Sequence, residues 1–119
     1  MSDRVADLDS HCHPGDHRNE PTLTTDAAAI ERAARLFRAI GDDARLRLLA
    51  RLANGPHCVT ALATAEGDSL STISQRLRVL RAEHLLVRRR EGRHITYALA
   101  DDHVLDIVRS ALAHAGEGV

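Results

Sequence analysis

Four side chains near the end of the chain have the types and spacing of a metal site. Asp101 and His103 are two positions apart, His114 and Glu117 are three apart, and ten residues separate the two histidines. Imidazole nitrogens and carboxylate oxygens form a ligand set that suits tetrahedral zinc. The pattern therefore predicts a zinc site, at which cobalt can substitute.

The spacing of these residues requires two chains. At 100° per residue, His103, His114 and Glu117 fall within about 60° of one another and share one helix face. The two histidines are nonetheless about 16 Å apart along the axis, whereas each ligand of a zinc ion lies about 2 Å from it. Antiparallel pairing of two copies would place Asp101 and His103 opposite the partner's other two ligands. We therefore expect a homodimer with two equivalent sites.

A second group of potential ligands contains sulfur. Thiolate together with imidazole binds zinc and softer ions such as cadmium or lead. The alternative left open is that Cys58 is a small buried hydrophobe and that the N-terminal histidines belong to a flexible tail. The candidate second site consists of His11, Cys12, His13, His17 and Cys58.

One small domain must position these ligands. The chain has 119 residues, 44% of them hydrophobic, as expected for one soluble domain. Residues 1–24 contain prolines and few large apolar side chains, so we expect a flexible arm before a folded domain over residues 25–119. No apolar stretch is long enough for a membrane span, no secretory leader is apparent, and two cysteines form no disulfide framework. These features favour a cytoplasmic protein.

Apolar residues at three- and four-residue steps predict four helices in the first part of the domain. We expect the first to begin after Asp26 and end at Gly41, the second to end at Asn54-Gly55, and the third to run from about His57 to Ala65. A fourth helix follows a compact turn. Its expected buried stripe consists of Leu70, Ile73, Leu77 and Leu80.

The fourth helix and the segment after it have the features of a DNA-binding surface. Residues 71–97 contain seven arginines and two glutamates, a net charge of +5, although the whole chain is at −1. Two strand patterns flank a Glu91-Gly92 turn, which predicts a β-hairpin. In a winged helix, such a helix enters the major groove and the hairpin contacts the DNA backbone. The predicted contacts are Ser71, Thr72, Ser74, Gln75, Arg76, Arg78, Arg88, Arg89, Arg90, Arg93 and His94.

The predicted fold is mainly α with a small β-hairpin wing, a winged helix-turn-helix in the order α-α-α-α-β-β-α. The last helix carries Val104, Ile107 and Val108 on a stripe beside the metal ligands. This stripe suits packing against a partner chain and the first helix. We therefore expect the homodimer to form through the first and last helices.

Three stretches, Pro56–Val59, Ser69–Arg81 and Glu91–Tyr97, resemble the ArsR/SmtB family of metal-sensing repressors. The four-ligand pattern of the last helix is similar to the interhelical zinc site of that family. The resemblance implies a homodimer that binds double-stranded operator DNA when metal-free. It further implies that zinc releases the DNA and derepresses metal efflux or sequestration genes.

Two positions depart from the family pattern. Gln75 stands where the family commonly has histidine, which points to a different operator. Thr60-Ala61 follows Cys58-Val59, whereas related sensors often have aspartate at the second of these positions. A thiolate site here would therefore depend on ligands from the N-terminal arm.

Two other functions remain open. A repressor of the same fold could sense soft metals or thiol oxidation through Cys12 and Cys58. A zinc-buffering protein would bind metal without DNA, which the basic segment disfavours. An enzyme is disfavoured because four protein ligands close the zinc coordination sphere and no nucleophile is paired with a base. We expect no membrane partner and no small organic substrate.

Overall fold

The computed structural model of the protein describes residues 23–117. This part of the chain contains five helices and one three-stranded sheet, in the order α-α-β-α-α-β-β-α. None of these helices is long and apolar enough to cross a membrane. The elements are α1 (Ala27–Ile40), α2 (Asp43–Leu52), β1 (His57–Cys58), α3 (Val59–Glu66), α4 (Leu70–Ala82), β2 (Leu86–Glu91), β3 (His94–Leu99) and α5 (Asp102–Glu117).

Short polar side chains begin three of the helices. Asp26, Asp42 and Ser69 each accept a hydrogen bond from the backbone N–H three residues later, at 3.0 to 3.1 Å. Each bond satisfies an N–H that has no partner within its own helix. The predicted start of the first helix at Asp26 is confirmed.

The third helix begins two residues later than predicted. His57 and Cys58 instead form β1, which pairs antiparallel with β3 so that they lie opposite Tyr97 and Thr96. A two-residue strand has no periodicity of its own, and only the adjacent β3 defines it. The predicted element order therefore lacked one strand, and the sheet order is β1-β3-β2.

The wing is an antiparallel hairpin made of β2 and β3. Leu86 pairs with Leu99 at its base, and Glu91 pairs with His94 at its tip. The two-residue turn is therefore Gly92-Arg93, one position later than predicted. Gly92 has a φ of 63°, which glycine adopts without the steric cost of a Cβ atom.

The core is aliphatic and lies between the end of α1, α2, α3, α4, the first half of α5 and the base of the wing. Three residues of the predicted stripe on α4, Ile73, Leu77 and Leu80, are buried, but Leu70 is 52% exposed. That part of the prediction was wrong because Leu70 is the first residue of α4, at the outer end of the helix. The most deeply buried side chains are Leu48, Leu49, Leu62, Ile73, Leu77, Leu80, Leu85 and Val108.

His84 holds an unfavourable backbone conformation where α4 ends. Its φ is 60°, its N–H donates to the Arg81 carbonyl, and the next N–H donates to the Leu80 carbonyl. We expect His84→Gly to raise the free energy of unfolding by about 0.5–1 kcal/mol, because relief of the left-handed strain exceeds the entropic cost of glycine. Urea denaturation measures this change. His84→Ala is the matched control, and equal stability of the two variants would contradict the prediction.

Candidate metal and DNA-binding sites

Asp101 and His103 lie side by side where α5 begins. Asp101 Oδ1 accepts a hydrogen bond from the Val104 N–H at 3.1 Å and lies 3.8 Å from His103 Nδ1. In the described hydrogen bonds, the Asp101 carboxylate uses only Oδ1, so Oδ2 can bind a further group. The Asp101 and His103 side chains are 56% and 94% exposed. The helix cap therefore holds Asp101, and the start of α5 places His103 beside it, with both side chains accessible to a partner.

His114 and Glu117 lie at the other end of α5 and are also exposed. Within residues 23–117 of the single chain, no three His, Cys, Asp or Glu side chains are close enough together to hold a metal ion. The helix separates the two predicted ligand pairs. The four-ligand site therefore remains a prediction about two chains.

Large apolar side chains on α1 and α5 are exposed in the single chain. Ile30 and Phe37 of α1 are 54% and 57% exposed, and Leu112 of α5 is 45% exposed. Val104 and Val108 were predicted to pack against a partner chain and the first helix, but they are buried in the core of this chain, because the first half of α5 packs on that core. The exposed side chains of Ile30, Phe37 and Leu112 are accessible for contact with a second chain. They lie on the two helices through which dimerisation is predicted.

Cys58 is half-buried and lies at the edge of the sheet, paired with the central strand β3. His11, Cys12, His13 and His17 lie outside the described residues. The second metal site therefore stays a prediction. Cys58 is paired with β3, which is one of the two strands of the wing.

The surface of α4 opposite its buried stripe is polar. Ser71, Ser74, Gln75 and Arg78 are exposed, and Thr72 is partly exposed. Hydroxyl and amide groups can bond to base edges, and a guanidinium group can bond to phosphate. The residues predicted to contact DNA on α4 are therefore accessible to it.

Arg76 has a partner within the protein. Its Nη1 donates to Asp68 Oδ2 at 2.8 Å, and its side chain is only 26% exposed. This ion pair joins the turn before α4 to the second turn of the helix. Arg76, predicted only as a DNA contact, thus also ties the start of α4 to the turn before it.

The basic residues of the wing are exposed. Side chains alternate between the two faces of a strand, so Arg88 and Arg90 lie on one face of β2 and Arg89 lies on the other. Arg90 Nε donates to the Gly92 carbonyl at 3.3 Å. The wing therefore carries positive charge on both faces. The predicted wing contacts Arg88, Arg89, Arg90, Arg93 and His94 are all exposed.

An ion-pair cluster between α2 and α3 was not predicted from the sequence. The Glu66 side chain is 4% exposed and accepts hydrogen bonds from Arg47 Nε at 2.9 Å and from Arg51 Nε. The hydrogen bond from Arg51 lowers the pKa of Glu66 below its ordinary value of 4.5, although burial opposes this, and Arg47 lowers it further. The partners are 15 and 19 residues from Glu66 in the chain, so no local pattern reveals them.

The sequence matches a known family and several of its members. Residues 42–86 match the family described as "Bacterial regulatory protein, arsR family". The chain is 40% identical over 103 residues to the HTH-type transcriptional regulator NmtR of Mycobacterium tuberculosis, covering 87% of this chain and 86% of that protein. It is 41% identical over 87 residues to the transcriptional repressor SmtB homolog of Synechocystis, covering 73% and 66%.

Solved structures show the same fold. The homodimeric winged helix-turn-helix DNA-binding domain of a possible ArsR-family regulator from Mycobacterium bovis has a TM-score of 0.74 at 33% identity, covering 82% of this chain and 90% of that chain. Apo-NmtR in solution has a TM-score of 0.68 at 39% identity, and the match covers 90% of this chain and 88% of that chain. The antimony-specific transcriptional repressor AntR has a TM-score of 0.70 at 34% identity, and the match covers 90% of this chain and 96% of that chain. These likenesses confirm the predicted winged helix-turn-helix fold.

Proposed function

This chain belongs to the ArsR family of bacterial regulatory proteins, whose relatives above are transcriptional regulators and not enzymes, and we propose that it is a zinc-responsive transcriptional repressor. It binds operator DNA as a metal-free homodimer, and zinc releases it. The observation that supports this most is the placement of two exposed ligand pairs at the two ends of α5, where a second copy can join them.

The homodimer forms through α1 and α5. The related Mycobacterium bovis domain is homodimeric, and Phe37 and Leu112 of this chain are exposed on those two helices. Antiparallel pairing of two α5 helices would bring Asp101 and His103 of one chain to His114 and Glu117 of the other. Two symmetric zinc sites result, each with two imidazole and two carboxylate ligands.

DNA is bound by α4 in the major groove and by the wing on the flanking backbone. The accessible hydroxyl and amide groups of α4 and the arginines on both faces of the wing support this arrangement. A dimer presents two copies of α4 to two operator half-sites. Their separation is set by the helices that join the two chains.

Zinc binding changes the separation of the two α4 helices in the dimer. Ligation across the interface favours one spacing and tilt of the two α5 helices, and therefore one spacing of the two α4 helices. Couplings between two sites are typically about 1–3 kcal/mol, or roughly 5–150-fold in affinity. Release of the operator would derepress genes for metal efflux or sequestration.

The proposal is tested by fluorescence anisotropy with labelled DNA from the protein's own promoter region. We expect the metal-free protein to bind, the affinity to fall as salt rises, and zinc to release the DNA. A protein that binds zinc but no DNA at any salt concentration would be a zinc buffer, and the repressor assignment would be wrong.

A second candidate is a repressor that senses soft metals or oxidation through Cys58 and Cys12. The pairing of Cys58 with β3 favours it, because a ligand there acts on the wing. AntR, a structural relative, is antimony-specific. The variant Cys58→Ser separates the two candidates. If α5 is the sensor, zinc still releases the DNA from this variant. If Cys58 is the sensor, cadmium or antimonite no longer releases the DNA.

A further inference from the structure

A cleft beside α4 brings together two arginines from different helices. Arg45 comes from the first turn of α2 and Arg76 from the second turn of α4. Thr72, Gln75 and Val79 of α4 form the rest of its lining. Arg76 Nη1 already donates to Asp68 Oδ2 at 2.8 Å, so among the described ion pairs only Arg45 of these two has no carboxylate partner. The remaining N–H donors of the two guanidinium groups suit an anion with several acceptor oxygens.

Arg45 is held rigidly by groups that do not neutralise its charge. Its Nε donates to the Ala39 carbonyl at 2.7 Å, and its Nη2 donates to the Arg38 carbonyl at 3.3 Å. A guanidinium group carries five N–H donors, so donors remain for a ligand. Arg47, two residues later, is bonded to the carboxylate of Glu66 instead. Arg45 is therefore a fixed positive charge that is ready to bind an anion.

The position of the cleft indicates which anion it binds. Thr72 and Gln75 line the cleft and are also the side chains predicted to reach base edges. A group that enters the cleft while α4 lies in the major groove must come from the DNA strand beside it. On that strand the phosphodiester supplies the anionic oxygens.

We propose that Arg45 and Arg76 form a phosphate-binding cleft for the operator backbone, which makes α2 a third DNA-contacting element beside α4 and the wing. The proposal rests on the proposed DNA-binding function. The same guanidinium of Arg45 bonds to the last turn of α1, a helix of the proposed dimer interface. A shift of α1 on zinc binding would therefore move this phosphate contact.

The salt dependence of DNA binding tests the proposal. Each phosphate contact contributes about 0.9 to the slope of log K against log salt, so Arg45→Gln should reduce the slope of the dimer by about 1.8. The loss of affinity should be equal for operator and unrelated DNA. Arg47→Gln is the matched control, since it makes the same charge change on the same helix, and its slope should equal that of the wild type.

The outcomes separate this inference from the proposed function. Wild-type protein that binds no DNA would overturn both. Wild-type protein that binds, together with an unchanged slope for Arg45→Gln, would overturn only the phosphate contact.

A second pair of variants avoids the α1 contact of Arg45. Val79 lines the cleft and is 38% exposed, so it can accept a longer side chain. Val79→Glu places a carboxylate in the cleft, and Val79→Gln is its uncharged control. We expect the glutamate variant to bind both operator and unrelated DNA at least tenfold more weakly than the glutamine variant. Equal binding by the two variants would overturn the proposal even if Arg45→Gln does not fold.

Discussion

Replacing His103 with glutamine should leave operator binding by the metal-free protein intact and abolish its release by zinc. The His103 side chain is 94% exposed, so its loss removes a proposed ligand without opening the core. Each of the two symmetric sites would then keep three of its four protein ligands. We expect zinc to weaken DNA binding by roughly 5–150-fold in the wild type and not measurably in the variant, as followed by anisotropy.

A matched control removes a different imidazole. His84 is exposed and belongs to the link between α4 and β2, not to α5. His84→Asn keeps a residue that tolerates positive φ and should respond to zinc as the wild type does. If His103→Gln also releases DNA like the wild type, the α5 site is not the sensor, and sensing moves to Cys58 and the N-terminal ligands.

The helices and the wing could be predicted because their signals are local. Asp26 and Ser69 cap helices through bonds to residues three positions later, and the hairpin is indicated by two strand patterns around one short turn. β1 could not be predicted in this way. His57 and Cys58 form a strand only because β3 supplies its hydrogen-bond partners.

The candidate sites also differ in whether local sequence or packing between helices brings their residues together. The ligand pairs of α5 follow from helix periodicity, since all four residues belong to one helix or its cap. The cleft at Arg45 and the cluster at Glu66 each join side chains from two helices, whose relative placement depends on core packing. In the sequence, Arg45 and Arg47 look alike, but one is bonded to carbonyls and the other to a carboxylate.

The Glu66 cluster should make a measurable contribution to stability. Glu66→Gln removes the carboxylate charge and leaves one acceptor oxygen for two guanidinium donors, because the amide NH2 can only donate. We expect it to lower the free energy of unfolding near pH 7 by about 1–3 kcal/mol. Values toward the lower end are expected because the guanidinium groups of Arg47 and Arg51 are 58% and 42% exposed. Urea denaturation measures the difference, and Glu31→Gln on the exposed surface of α1 is the control.

The same difference should depend on pH. Because the hydrogen bond from Arg51 lowers the pKa of folded Glu66 below 4.5, the stabilisation is fully present above that pH. It is lost as the pH falls through the lower pKa of the folded state, where the carboxylate becomes protonated. The stability difference between the wild type and Glu66→Gln should therefore shrink as the pH falls below about 4.5, since their other titrating groups are shared. A difference that stays constant across the acid range would show that the charge of Glu66 does not stabilise the contact between α2 and α3.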